Sequence, residues 1–344
     1  MLAATGLAIG LAAAMATPNS SSSTTAATTT RRSSPTSTPA TTAVPRVVQA
    51  NSPVPSGTWA VRTIDLTVVD RSRIAVVDGV MGPRHIGVRI FLPTSDRKVR
   101  RRPGTTFPLV VFAPGYLQCR SAYGPLLEHW ASAGFAVAAA AFPLTSCHTP
   151  GQPEESDIVN QPADVAFAIR RLVELSAEHT GALAGRLDPS AIAVAGHSDG
   201  ADTVLADLAN TCCRDSAIRA GIVMAGAELA SLGGRYFSQP TPPMLFVQGS
   251  ADTVNPPRDT EVAFGADDSG PRWLLDLVGA GHFSPYEGRG PEESIVASVT
   301  TAFLDAELKD DPGALAHQAN RLARLSQARL VSGDEPDPLA TPGG

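Results

Sequence analysis

The amino-acid sequence predicts an α/β fold, with a mostly parallel central sheet and helices on both faces. Two observations predict it. Apolar runs of strand length alternate along the chain with segments of helical periodicity, which is the pattern of parallel strands joined by crossover helices. Several of the runs, at 108–112, 135–141 and 191–195, are continuously apolar rather than alternating, as strands covered on both faces must be.

The elements follow in order. Residues 59–73 alternate around Val61, Ile64, Leu66 and Val68, and residues 85–92 around Ile86, Val88, Ile90 and Leu92, so both are strands with one covered face. The basic run 97–102 after them reads as a solvated hairpin tip. The strand at 108–112 ends at Ala113-Pro114-Gly115-Tyr116, and helical periodicity resumes from Ser121 through Tyr123, Leu126, Leu127 and Trp130 until Gly134 closes it. A buried strand at 135–141 precedes a helix over 161–180 with the stripe Val165, Ile169, Leu172 and Leu175. Further strands are expected at 191–195, 220–224, 244–247 and 273–278, then a helix over 291–308 and one more over 314–330.

With 344 residues, no internal repeat and no second core, the chain reads as one catalytic domain over 57–309 with a polar C-terminal extension, 310–344. Residues 1–16 are apolar and Ala-rich and end in Ala14-Met15-Ala16, a small-x-small pattern like that of a secretory signal peptide, although no Lys or Arg precedes the run. It is shorter than the ~20 residues that a membrane-spanning helix needs. Residues 17–56, rich in Ser, Thr, Pro and Ala, cannot bury enough apolar surface to order themselves and read as a disordered linker. The expected location is therefore outside the cell or in its envelope. With 27 Lys and Arg against 33 Asp and Glu, the net charge of −6 argues against nucleic acid or an anionic membrane as partner.

The chemistry centres on residues 187–201. A short apolar strand runs into Gly196-His197-Ser198-Asp199-Gly200 and then into a helix, a sharp turn that lifts a serine hydroxyl above the sheet edge and tolerates only small residues at 196 and 200. A serine hydroxyl is a poor nucleophile until a base takes its proton and a carboxylate orients the base. Asp252 lies just beyond the strand at 244–247 and His282 just beyond the strand at 273–278, so Ser198, Asp252 and His282 each stand at a strand's carboxyl end. Glu228, after the preceding strand, is the rival acid. An oxyanion hole needs two backbone N–H groups; that of Asp199, at a helix N-terminus, is one, and that of Tyr116, in the loop after the 108–112 strand, is the other. No cofactor and no metal enters this chemistry.

The segments Pro114-Gly115-Tyr116, Gly196-His197-Ser198-Asp199-Gly200, Gly249-Ser250-Ala251-Asp252 and Gly279-Ala280-Gly281-His282 resemble the secreted α/β-hydrolases grouped with bacterial cutinase-like polyester hydrolases, dienelactone-hydrolase-like esterases, chlorophyllases and platelet-activating-factor acetylhydrolases. The resemblance covers roughly residues 60–308 and implies the α/β-hydrolase fold and carboxylic-ester hydrolysis through an acyl-enzyme, with Ser198, Asp252 and His282 as triad and Tyr116 and Asp199 as oxyanion donors. The chain departs from the polyester hydrolases of this group at Asp199, where they carry Met or another apolar residue, and at His197, where they often carry Trp. Tyr116, His197 and Phe283 are expected to wall the substrate cleft, with His197 giving packing support rather than acting as a base.

The connection of about 18 residues before the strand at 244–247 is too short for a helical lid, so an open cleft is expected, suited to short acyl chains or exposed polymer esters. The same triad attacks amides, which leaves a peptidase as the alternative within catalysis and a silent tethered binding module as the alternative outside it. Cys119 and Cys147 follow adjacent parallel strands at one edge and are placed for a disulfide. Cys212 and Cys213, neighbours in sequence, are expected as buried free thiols. A metal site from Cys119, Cys147 and His148 lacks a fourth ligand at usual spacing.

Overall fold

A computed structural model describes residues 57–94, 104–288 and 290–333. The signal-peptide and linker readings, and the basic run 97–102, lie outside the described residues.

In chain order the strands are β1 (Ala60–Val77), β2 (Val80–Thr94), β3 (Phe107–Ala113), β4 (Ala136–Ala141), β5 (Leu187–His197), β6 (Ala220–Met224), β7 (Met244–Gly249), β8 (Arg272–Leu277) and β9 (Ala328–Ser332). Among the described residues these form one sheet in the order β1-β2-β4-β3-β5-β6-β7-β8-β9. From β4 to β8 all pairings are parallel, while the β1–β2 hairpin, the β2–β4 pair and the β8–β9 pair are antiparallel. The continuously apolar runs are the inner strands: every residue of β6 and β7 is buried.

The helices are α1 (Gly124–Ser132), α2 (Gln161–Ala177), α3 (Asp199–Ala209), α4 (Pro257–Ala266), α5 (Ser284–Glu287), α6 (Pro291–Leu308) and α7 (Gly313–Leu322). One face of the sheet is covered by α1, α5, α6 and α7 through Leu126, Trp130, Tyr286, Phe303 and Leu315. The other is covered by α2, α3 and α4 through Val165, Ile169, Val204, Leu208 and Ala263. Burying each large aliphatic or aromatic side chain contributes roughly 1.5–3 kcal/mol, which is why the helical stripes seat on the sheet. Among the described residues no large insertion covers the carboxyl edge: β6 and β7 are joined by a loop with only a short 3₁₀ turn at Ala230–Leu232.

Several features differ from the expectation, among them the short helix α5 and the following. Helix α4 was not anticipated, because Thr260 and Ala263 are its only buried residues and no apolar stripe announces it. The helix expected over 314–330 stops at Leu322, and residues 328–332 instead form β9, so the sheet takes its last strand from beyond residue 309. The reason is the free edge of β8, whose backbone groups β9 pairs while Ala328 and Val331 turn inward. Cys212 and Cys213 are bonded to each other rather than free, and Cys212 is exposed. They sit in the turn that leaves α3, where the Cys213 and Arg214 N–H groups both donate to the Asn210 carbonyl. Cys119 and Cys147 form the second disulfide, between the loops after β3 and β4.

Candidate active site

All parallel strands end on one edge, so the loops after β3, β4, β5, β7 and β8 converge there. Ser198 occupies the turn between β5 and α3 with φ +56° and ψ −128°, a conformation a residue with a side chain holds only when its surroundings impose it. Two glycines make the turn possible. A Cβ on Gly196 would lie 2.1 Å from the Gly200 carbonyl oxygen, and one on Gly200 would lie 2.0 Å from that of Ala113. The Ser198 N–H donates to the Met224 carbonyl at 3.0 Å, which ties the turn to β6.

His282 reaches Ser198 from the loop after β8, with Nε2 3.0 Å from the Ser198 Oγ. Its Nδ1 lies 2.7 Å from Oδ2 of Asp252 in the loop after β7. Asp252 is anchored from the other side, since Oδ1 accepts the N–H groups of Val254 and Asn255, both at 2.9 Å. With Nδ1 donating to this carboxylate, Nε2 is left as the acceptor that faces the serine hydroxyl. The rival acid Glu228 is exposed and makes no contact with His282. The triad read from the sequence is therefore assembled, with Asp252 as its acid.

The other expected site residues stand as follows. Gly115 lies directly against the nucleophile, where an added Cβ would come within 3.1 Å of the Ser198 Cβ, so the loop that carries Tyr116 borders the reacting atoms. Asp199 is the first residue of α3. Its Oδ2 is sealed from solvent without a partner. Burial, reinforced by the charge of Glu155, pushes its carboxyl up to about 6, against the pull of its own backbone N–H. Phe283 is 43% exposed and stacks edge-on against His282.

His197 gives the expected packing support but not the expected cleft wall. It is fully buried and so cannot wall the cleft. Residues on either side of a sharp turn face different ways; Ser198 is lifted above the edge while His197, the last residue of β5, points into the layer beneath. There its ring packs 4.5 Å from Tyr286 and 4.6 Å from His282.

Sequence reasoning missed two supporting groups. Gln248, on β7, donates from Nε2 to Asp252 Oδ2 at 3.3 Å and to the Asn255 carbonyl at 3.2 Å, while its Oε1 accepts from Thr260. The buried Arg84 guanidinium binds Asp157 and Asp164 together, fixing the loop after β4 to the β1–β2 hairpin. Arg84 shares the inward parity of Ile86, Val88 and Ile90, but the acidic partners that it binds stand far away in the sequence. Cys119, Cys147 and His148 also come together, but the two sulfurs are bonded to each other and offer no thiolate. Among the described residues no helix is long and apolar enough to cross a membrane.

A comparison with curated proteins gives no match. A family model described as PET hydrolase-like matches residues 53–313, which contain the whole triad and all strands but the last. On that match, and with a Ser-His-Asp triad built on the strand ends of an α/β-hydrolase sheet, the chain belongs to the PET hydrolase-like family of cutinase-type α/β-hydrolases.

Proposed function

We propose that this ester hydrolase acts outside the cell or in its envelope on short-chain carboxylic esters or on the accessible esters of a polymer. The observation that carries the reading is the Ser198-His282-Asp252 relay at a sheet edge that, among the described residues, no lid covers. His282 Nε2 takes the proton of Ser198 as Oγ attacks the ester carbonyl carbon, and Asp252 stabilises the imidazolium through Nδ1. The tetrahedral oxyanion is received by the N–H groups of Tyr116 and Asp199, the second helped by the positive end of α3. Collapse expels the alcohol, which leaves with the proton from His282. Water then repeats the sequence on the acyl-enzyme, releasing the acid and restoring Ser198.

Tyr116 and Phe283 form the walls in this reading, and the partly exposed Phe283 ring supplies an apolar surface for the acyl or alcohol group. Export is supported by the signal-like run at residues 1–16 and by disulfides, which persist in oxidising compartments.

A series of p-nitrophenyl esters of increasing acyl length tests the reading, with turnover expected to peak at short chains; a maximum at long chains overturns it. Ser198→Ala is expected to lower turnover by roughly a millionfold and to abolish labelling by a fluorophosphonate probe. Undiminished hydrolysis in that variant removes Ser198 from the mechanism.

A further inference from the structure

The loop after β3 and the start of α3, which carry the two oxyanion donors, are joined by a line of buried polar side chains that the triad does not use. The Leu117 N–H donates to the Thr145 carbonyl at 2.8 Å. Thr145 Oγ1 accepts from Gln161 Nε2 at 2.9 Å, and Gln161 Oε1 accepts from Thr203 Oγ1 at 2.8 Å. The same Thr203 hydroxyl lies 2.9 Å from the Asp199 carbonyl oxygen. Thr145, Gln161 and Thr203 are 2%, 0% and 0% exposed. A buried primary amide is costly unless both of its ends are bonded, and here it joins two hydroxyls on separate elements.

We infer that Gln161 is a positioning residue that sets the distance between the Tyr116 and Asp199 backbone N–H groups. The inference rests on the reading of those two groups as the oxyanion hole. Leu117, next to Tyr116, has φ +58°, a left-handed conformation that a leucine keeps only under constraint, and its bond to Thr145 supplies one. The Cys119–Cys147 disulfide joins the β3 and β4 loops covalently, but nothing covalent joins either of them to α3. Gln161 closes that gap, from the first residue of α2 to Thr203 on α3. An oxyanion must find both donors at about 2.7–3.1 Å, and a misplacement of about 1 Å can cost on the order of a hundredfold in rate. Being fully buried, Gln161 touches no substrate and acts only through the two segments that it spaces.

Two variants test this. Gln161→Met keeps the length and removes both bonds; kcat on p-nitrophenyl acetate is expected to fall about 10- to 100-fold with KM within about twofold, and the affinity for a boronic acid that forms a tetrahedral adduct with Ser198 to fall in parallel. A folded Gln161→Met enzyme with unchanged kcat, or with unchanged boronate affinity, overturns the inference. Gln161→Glu serves whether or not the first variant folds. A protonated carboxyl donates once and accepts once, as the amide does, so the kcat of Gln161→Glu relative to wild type is expected to rise as pH falls from 8 to 5. A ratio independent of pH overturns the inference. Taking the ratio at each pH removes the titration of the groups that face this point, Glu155 and Asp157 before α2, Asp164 on α2, and Asp199 and Asp202 on α3. To separate the two readings, Tyr116 is replaced by its α-hydroxy acid analogue, which deletes only the N–H. Unchanged kcat there overturns the oxyanion assignment and the inference with it, whereas a loss there alongside wild-type behaviour in both Gln161 variants overturns the positioning role alone.

Discussion

His197 Nε2 lies 2.9 Å from the backbone carbonyl oxygen of His282. A carbonyl only accepts, so Nε2 carries the proton. Burial, with the nearby His282 adding to it, pushes the His197 imidazole down to about 3, so the ring is neutral and its Nδ1 is bare. Nδ1 therefore accepts from the Tyr123 hydroxyl at 2.8 Å, and that hydroxyl in turn accepts the Gly115 N–H at 3.3 Å. One chain of hydrogen bonds thus runs from the loop beside Ser198, through Tyr123 and His197, to the backbone of the catalytic base. Beyond the expected packing support, His197 thus bonds the backbone of the base from beneath, and it does not line the cleft.

Tyr123→Phe breaks this chain with almost no change of shape. It leaves the buried Gly115 N–H and His197 Nδ1 without partners, and each orphaned group costs about 1–3 kcal/mol. A drop in the urea midpoint with an unchanged slope is expected, together with a several-fold loss of kcat. Wild-type stability in this variant would show that the chain is not a connected unit.

Asp252→Asn tests the orienting acid. The amide can present its N–H₂ where Nδ1–H was received, which favours the wrong tautomer of His282, and a loss of on the order of ten-thousandfold in kcat is expected. Glu228→Gln, at an exposed position, is expected to change kcat by less than about twofold, within the range of an ordinary surface substitution. The reverse ranking would move the role to Glu228.

What the sequence made legible was whatever local periodicity encodes. Continuous apolar runs marked β3, β4, β6 and β7, and the strand-turn-helix at Ser198 marked the nucleophile, because each depends on residues adjacent along the chain. Helix α4 and strand β9 escaped because they lie at the periphery and bury two residues each, too few to set a period. The polar supports escaped for another reason. Arg84 stands two residues before Ile86 in the β2 alternation and Gln161 four before Val165 in the α2 stripe, so periodicity placed both on inner faces, but the partners of Gln161, Gln248 and Arg84 lie on elements brought together only by the fold. The strained turn at Ser198 was legible from the Gly-x-Ser-x-Gly pattern, but the inward direction that it gives His197 was not read from it.

Arg84→Met removes the one cation that both Asp157 and Asp164 share inside the protein. Asp157 is then left without its cation and Asp164 keeps only the partly exposed Arg73, so a loss of about 3–5 kcal/mol is expected from denaturant unfolding. Arg89→Met, at a half-exposed pair with Asp65, is expected to cost less than about 1 kcal/mol. Equal costs would mean that the buried network has no special weight in holding the loop after β4.

Asp199→Asn addresses a negative charge that stands close to the proposed oxyanion. The carboxyl and the backbone N–H belong to the same residue, so an oxyanion received by that N–H sits within roughly 6–8 Å of the carboxylate, where two like charges at an effective dielectric near 20 repel by about 2–3 kcal/mol before solvent screening. The sign follows from the direction of the shift. The carboxyl is raised to about 6, so it is neutral at pH 5 and ionised at pH 8, and the repulsion is present only on the alkaline side. The kcat/KM of Asp199→Asn relative to wild type is therefore expected to be near one at pH 5 and to rise to about tenfold by pH 8, with its midpoint near pH 6, since about 1.4 kcal/mol is a factor of ten. Stability shifts in the same window. A carboxyl raised above its unfolded value contributes fully below pH 4, and the contribution is lost as pH rises through about 6, so the variant is expected to melt higher than wild type at pH 8 but not at pH 4. A rate ratio that stays flat from pH 5 to pH 8 would place the carboxylate charge out of reach of the oxyanion, and with it the Asp199 N–H.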